Sequence, residues 1–105
     1  MKEQFIEIFK DHIKRPGADA LLSWLEKSDF FTAPASTRFH LSEPGGLVKH
    51  SVHVYERLRE LYSNELARNT DGPVILSDED EEKIAICGLL HDICKVGCYK
   101  QEPQN

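Results

Sequence analysis

Residues 84–94 decide the fold: they read Ile-Ala-Ile-Cys-Gly-Leu-Leu-His-Asp-Ile-Cys, an apolar run that ends in a histidine and an aspartate. Burying an unpaired carboxylate costs free energy, so either a cation or a hydrogen-bond partner has to meet Asp92 inside the fold. The imidazole of His91 beside it favours the cation, because imidazole and carboxylate are common ligands of transition metals. The run therefore predicts a metal site beside the core. His50, upstream on another predicted helix, is a second histidine candidate.

The same run belongs to a predicted helix that begins at Ser77. A serine is a favoured N-cap, and the acidic residues 78–82 that follow it complement the positive end of the helix dipole. From Ile84 to Cys94 the helix is apolar on nearly every side, so we expect it to pass through the centre of the domain. A glycine within a helix is less favourable than alanine by about 1 kcal/mol. Gly88 is most simply explained if another helix crosses closely there, and we predict such a crossing.

Three more helices are predicted upstream. Apolar residues recur at helical spacing in each of them: Phe5, Ile6, Phe9 and Ile13 in the first, Leu21, Leu22 and Leu25 in the second, and Leu47, Ser51, Val54, Leu58 and Leu61 in the third. Turn-forming residues predict a polar connection over residues 64–73. Because no segment has a convincing strand pattern, the fold class predicted is all-α.

Composition limits the kinds of protein that this chain can be. With 105 residues, 40% of them hydrophobic, we expect residues 1–105 to form a single domain. The formal net charge of −5 does not favour broad nucleic-acid binding. No stretch is long and apolar enough to span a membrane and the N-terminus does not resemble a secretory signal, so a cytoplasmic location is the expectation.

Two motifs resemble those of a known family. Gly-Gly-Leu-Val-Lys-His at residues 45–50, followed by Leu-Leu-His-Asp-Ile-Cys-Lys at residues 89–95, is similar to the HD-domain superfamily of metal-dependent phosphohydrolases. The resemblance implies a compact helical bundle of about four to five helices. It also implies that His50, His91 and Asp92 bind a divalent metal ion, and that the substrate is a nucleotide or another small phosphate ester.

Further roles follow from the resemblance. Asp92 would also orient the attacking water if a second metal ion lies nearby. Lys95 would lie near the reacting phosphate, although a lysine in the last turn also suits the helix dipole. His40 and Arg38 are candidates for substrate contacts or for supporting the ligands, or else ordinary loop residues. Histidine and carboxylate ligands fit Mn²⁺, Fe²⁺, Ni²⁺ or Zn²⁺ better than Mg²⁺, and the sequence does not choose among these ions.

The sequence departs from the family pattern after the His-Asp pair. Members of the superfamily carry a further ligand aspartate in later helices, whereas no aspartate follows Asp92 here. We therefore expect a partial HD-like domain that lacks the C-terminal helices of the family. The faces of the third and fourth helices would then be partly uncovered, and this apolar surface would favour a homodimer. The alternative function is a catalytically inactive HD-type pseudoenzyme that acts as a ligand-binding or protein-interaction module.

The three cysteines allow a competing metal hypothesis. His91, Cys94 and Cys98 are spaced at i, i+3 and i+7, and imidazole with thiolates is good zinc chemistry. Gly97 is expected to end the helix before Cys98, however, and Cys87 and Cys94 are more simply explained as small core residues. An odd, clustered set of cysteines favours reduced thiols over disulfides.

Overall fold

The fold was obtained as a computed structural model, which describes residues 1–34 and 44–93. Within these ranges the chain forms four α-helices and no β-strand. The helices are α1 (Lys2–His12), α2 (Ala18–Lys27), α3 (Gly46–Arg68) and α4 (Asp78–Leu89). The prediction of an all-α helical bundle is therefore confirmed. That residues 1–105 form one domain remains a prediction.

An aromatic cluster fills the N-terminal part of the core. Phe5 is completely buried, and its ring lies 4.9 Å from the ring of Phe30 and 5.4 Å from that of Phe31, measured between centroids. Phe9, one helical turn later on α1, is also buried. Because α1 packs against both α3 and α4, these rings support the pair of helices that carries the candidate ligands.

Helices α3 and α4 form an antiparallel pair that crosses at Gly88. A Cβ atom added to Gly88 would lie 2.5 Å from the Cα of Tyr55 on α3. Arg59, four residues after Tyr55 on α3, is hydrogen-bonded to Glu81, seven residues before Gly88 on α4. The two helices therefore run in opposite directions. The prediction that a second helix crosses closely at Gly88 is thus confirmed.

Helix α3 is longer than the sequence predicted, and its buried face is rotated. Residues 64–68, expected in a connection, extend the helix to Arg68, where the ion pair between Arg68 and Glu65 (3.0 Å) joins residues one turn apart. Leu61 was expected on the apolar stripe but is half-exposed, whereas Val52 and Tyr55 are buried against the neighbouring helices. No helix in the described ranges combines the length and the apolar character needed to cross a bilayer.

Helix α4 begins as predicted but ends earlier. The backbone N–H of Asp80 donates to Ser77 Oγ (3.1 Å), which confirms the N-cap. The helix stops at Leu89, so His91 and Asp92 lie just after it. Only one face of α4 is buried, because α1 and α3 cover it from one side. The expectation that Cys87 is a core residue was wrong, since its side chain is exposed.

The acidic first turn of α4 has a second role besides starting the helix. Glu81 accepts two hydrogen bonds from the guanidinium of Arg59 on α3, at 3.0 and 2.8 Å. Glu82 accepts from the backbone N–H of Lys14 (2.8 Å) and from Nε of Arg15 (3.1 Å), just after α1. The acidic run therefore ties α4 to both of the helices that pack against it.

The Arg59–Glu81 pair predicts a dependence of stability on pH. The hydrogen bonds from Arg59 hold the pKa of the Glu81 carboxyl below its ordinary value. Such a carboxylate stabilises the fold above the pKa of the unfolded chain, about 4.3, and this contribution is lost as the pH falls through the lower folded pKa. Because Arg59 is half-exposed, water screens the pair, and Glu81→Gln should cost about 1 kcal/mol at neutral pH.

Urea unfolding at pH 7 and pH 3 measures this effect. The loss of stability on acidification should be smaller in Glu81→Gln than in the original chain. Glu79→Gln is the matched control, because Glu79 lies in the same helical turn but is mostly exposed and forms a longer ion pair, with Lys83 at 3.7 Å. Equal behaviour of the two variants would contradict a stabilising role for the Arg59–Glu81 pair.

Several large apolar side chains remain on the surface. Trp24 on α2 and Leu61 on α3 are each about half-exposed, and Ile75, just before α4, is 80% exposed. The expectation that apolar faces of the third and fourth helices are left uncovered remains a prediction. The homodimer that was expected to cover them also remains a prediction.

Candidate metal centre

His50 is placed by the way in which α3 begins. Gly45 adopts a left-handed backbone conformation (φ +78°), which favours glycine. The N–H groups of Gly45 and Leu47 donate to the carbonyl oxygens of Thr32 and Ala33, both at 2.9 Å. The start of α3 is therefore fixed to the end of the preceding segment, and this fixes His50 in the second turn of the helix.

His91 and Asp92 are placed by a turn at the end of α4. The chain leaves the helix at Leu90, whose N–H still donates to Ile86 (3.1 Å), and Ile93 N–H donates back to Leu90 (3.2 Å). His91 Nδ1 lies 2.8 Å from the carbonyl oxygen of Gly88. A carbonyl oxygen can only accept, so Nδ1 carries the hydrogen and the neutral ring has its lone pair on Nε2.

The two histidines and the aspartate converge on one point. Asp92 Oδ2 lies 3.0 Å from His91 Nε2 and 3.5 Å from His50 Nε2, and the two imidazole centroids are 5.2 Å apart. One ligand atom from each of the three residues falls within 4.8 Å of the others. Among the described residues, no other set of three histidine, cysteine or acidic side chains meets this test.

The donor set fits a divalent cation. An unprotonated Nε2 and a carboxylate oxygen both carry lone pairs, so their approach to 3.0 Å needs a proton or a cation between them. Two ligand atoms that each lie about 2.1 Å from one ion are about 3.0–3.4 Å apart. The distances from Asp92 Oδ2 to His91 Nε2 (3.0 Å) and to His50 Nε2 (3.5 Å) are close to this range. The hydrogen bond from His91 Nδ1 to a backbone carbonyl is the usual support for a metal-binding imidazole.

The site is open on one side. The side chains of His50, His91 and Asp92 are 39%, 28% and 18% exposed, respectively. If these three residues bound one ion, coordination positions would remain for water and for an oxygen atom of a substrate, as in catalytic sites and unlike closed structural sites. The arrangement can therefore hold a cation and present it to a ligand from solution.

Other candidate residues are not brought to this point by the described part of the chain. His53 is exposed and lies outside the group. His12, at the end of α1, is half-buried, and its ring stacks on Tyr55 with centroids 6.5 Å apart.

Five candidates lie outside the described residues, so their predicted roles stay predictions: Arg38, His40, Cys94, Lys95 and Cys98. These include both cysteines of the competing zinc hypothesis. The sequence analysis missed the carbonyl of Gly88 as a partner of His91. This contact could have been predicted, because the backbone carbonyl three positions before a histidine lies within reach of its side chain at the end of a helix.

Comparison with known families assigns the chain to a class. A family model, the HD domain, matches residues 47–104, which is more than half of the chain and includes all three converging residues. The chain belongs to the HD domain family. HD domains are metal-dependent and imply a phosphate-ester substrate, in agreement with the group formed by His50, His91 and Asp92. No curated protein and no solved structure matches the chain significantly.

Proposed function

We propose that the protein is a metal-dependent phosphohydrolase that acts on a nucleotide or another phosphate ester. The observation that carries this proposal is the convergence of His50, His91 and Asp92 where the start of α3 meets the end of α4. Family membership supports the class of reaction. The ligand set, and the nucleotide as a possible substrate, are parts of the proposal.

The reaction needs help because the negative charge of a phosphate ester repels a nucleophile. A divalent cation held by the three residues would neutralise that charge and lower the pKa of a water molecule beside it. Gly88 and His91 prepare the site, since the hydrogen bond to the Gly88 carbonyl keeps a proton on His91 Nδ1 and makes Nε2 the nitrogen that would bind the cation. Asp92 contributes the negative charge of the ligand set, and its carboxylate would orient the attacking water.

Residues outside the described ranges complete the proposal. Lys95, three positions after Asp92, would stabilise the charge that develops on the phosphate oxygens. Arg38 and His40 would contact the substrate or support the ligands. We propose Mn²⁺, Fe²⁺, Ni²⁺ or Zn²⁺ in preference to Mg²⁺, because two of the three ligands are imidazoles.

Elemental analysis of the purified chain tests the ligand set. After loading with Mn²⁺ and removal of excess metal, we expect about one ion per chain, because two imidazoles and a carboxylate form an adequate site. His50→Ala and Asp92→Ala should each lose most of it. His53→Ala is the matched control, since His53 lies one turn from His50 on α3 but faces solvent. A folded chain that retains none of the proposed metals would overturn the proposal.

A further inference from the structure

We propose that Gly88 is the positioning residue of the metal centre, and that it acts in two ways. Its missing side chain sets the distance between α3 and α4, and its carbonyl oxygen orients His91. The proposal rests on the proposed function for the identity of the ligands. On this proposal Gly88 is not a metal ligand and does not contact the substrate.

The first action depends on the backbone of α3. A Cβ atom at residue 88 would lie 2.5 Å from Tyr55 Cα, 2.9 Å from Tyr55 Cβ and 3.1 Å from Tyr55 N. Carbon atoms in ordinary contact are about 3.5–4.0 Å apart. The nearest atom belongs to a helix backbone, so a rotamer change cannot relieve the overlap. The two helices would have to separate by about 1 Å.

Separating α3 from α4 would move the proposed ligands on the two helices apart. His50 precedes Tyr55 by five residues, about 7.5 Å along α3, and Asp92 follows Gly88 by four residues. The 3.5 Å distance between His50 Nε2 and Asp92 Oδ2 spans the same pair of helices that Gly88 holds together. A metal centre tolerates misplacement of its ligands by only about 0.5 Å, so a movement of about 1 Å exceeds the tolerance.

The second action depends on the carbonyl of Gly88. It accepts the hydrogen bond from His91 Nδ1 at 2.8 Å, and this bond fixes both the tautomer and the direction in which Nε2 points. Gly88 is buried, and its Cα faces the backbone of Tyr55 on α3. Spacing and tautomer are therefore set at one residue, and a displacement of its backbone would disturb both.

The test compares Gly88→Ala with Leu22→Ala in the full chain. Leu22 is buried on α2, which takes little part in the contact between α3 and α4, so its loss should lower stability without moving the ligands. The affinity for Mn²⁺ is measured by isothermal titration calorimetry of the metal-free protein. We expect about 10–100-fold weaker binding in Gly88→Ala and near-original affinity in Leu22→Ala. Unchanged affinity in a folded Gly88→Ala would overturn the proposal.

A measurement without metal separates this proposal from the proposed function. Side-chain NMR of the metal-free chain reports the His91 tautomer and the proximity of the His50 and His91 rings. We expect Gly88→Ala to lose both the Nδ1–H tautomer and the ring-to-ring contact, and Leu22→Ala to keep them. If the original chain binds no metal, the proposed function fails, and this comparison still decides the role of Gly88.

A second variant covers the case in which Gly88→Ala does not fold. Tyr55→Ala removes the ring but leaves the Cα and Cβ atoms that touch Gly88. If backbone contact sets the spacing, this variant should be less stable yet keep the contact between the two histidine rings. Loss of that contact in a folded Tyr55→Ala would show that the tyrosine ring sets the spacing, and would overturn the proposal.

Discussion

Replacing Asp92 by alanine is expected to lower the rate of phosphate-ester hydrolysis by about 1,000-fold or more. Asp92 supplies the negative charge of the proposed ligand set, and its Oδ2 is the atom that both histidines approach, at 3.0 and 3.5 Å. The fold should survive the change, because the carboxylate lies beyond the end of α4. Hydrolysis of an activated phosphodiester and of common nucleotides in the presence of Mn²⁺ measures the loss, and circular dichroism measures the helix content.

Asp71→Ala is the matched control for this prediction. Asp71 is an exposed aspartate in the connection between α3 and α4, so its removal should leave the rate unchanged. If hydrolysis persisted in Asp92→Ala, the activity would not come from the proposed site, and the prediction would be wrong. A chain that binds metal but hydrolyses none of the substrates would favour the alternative function, an HD-type pseudoenzyme that binds a ligand or a partner.

Phe5→Ala is expected to have the largest effect on stability, about 4 kcal/mol. The side chain of Phe5 is fully buried and packs on the rings of Phe30 and Phe31. Its loss would leave a cavity at the point where α1 supports the other helices. A domain of this size is marginally stable, within about 5–15 kcal/mol, so a large part of its stability would be lost.

Urea unfolding followed by circular dichroism measures this change, and Trp24→Ala provides the contrast. Trp24 is as large as a core aromatic residue but is about half-exposed on α2, so its replacement should change stability by less than about 0.5 kcal/mol. Similar losses in the two variants would show that Trp24 is covered in solution, or that Phe5 is not the centre of the core.

The helix starts and the close crossing were predictable because local chemistry determines them. A serine followed by acidic residues favours the start of a helix, and Ser77 caps α4 here. A glycine within an apolar helical run usually marks a close approach of another backbone, and Gly88 does so. The three converging residues were also named from the sequence, because the two motifs that contain them resemble those of a family with a known order.

The errors concern features that depend on the neighbours of each helix. Apolar residues from Ile84 onward predicted burial on every side, but α1 and α3 cover only one side, and Cys87 is exposed. Leu61 fits a helical stripe, yet no helix covers that part of α3 in the described chain. Nor could the sequence show that Glu81 would meet Arg59, because the pairing depends on how far α3 and α4 slide past each other.

The antiparallel arrangement of α3 and α4 also affects how the candidate centre is assembled during folding. His50 lies near the start of one helix and Asp92 just after the end of the next, and only residues 69–77 separate the two helices. Closing such a short connection costs little chain entropy, and helical hairpins of this kind fold quickly because their contacts are local in sequence. The three candidate ligand side chains therefore come together when this one hairpin closes.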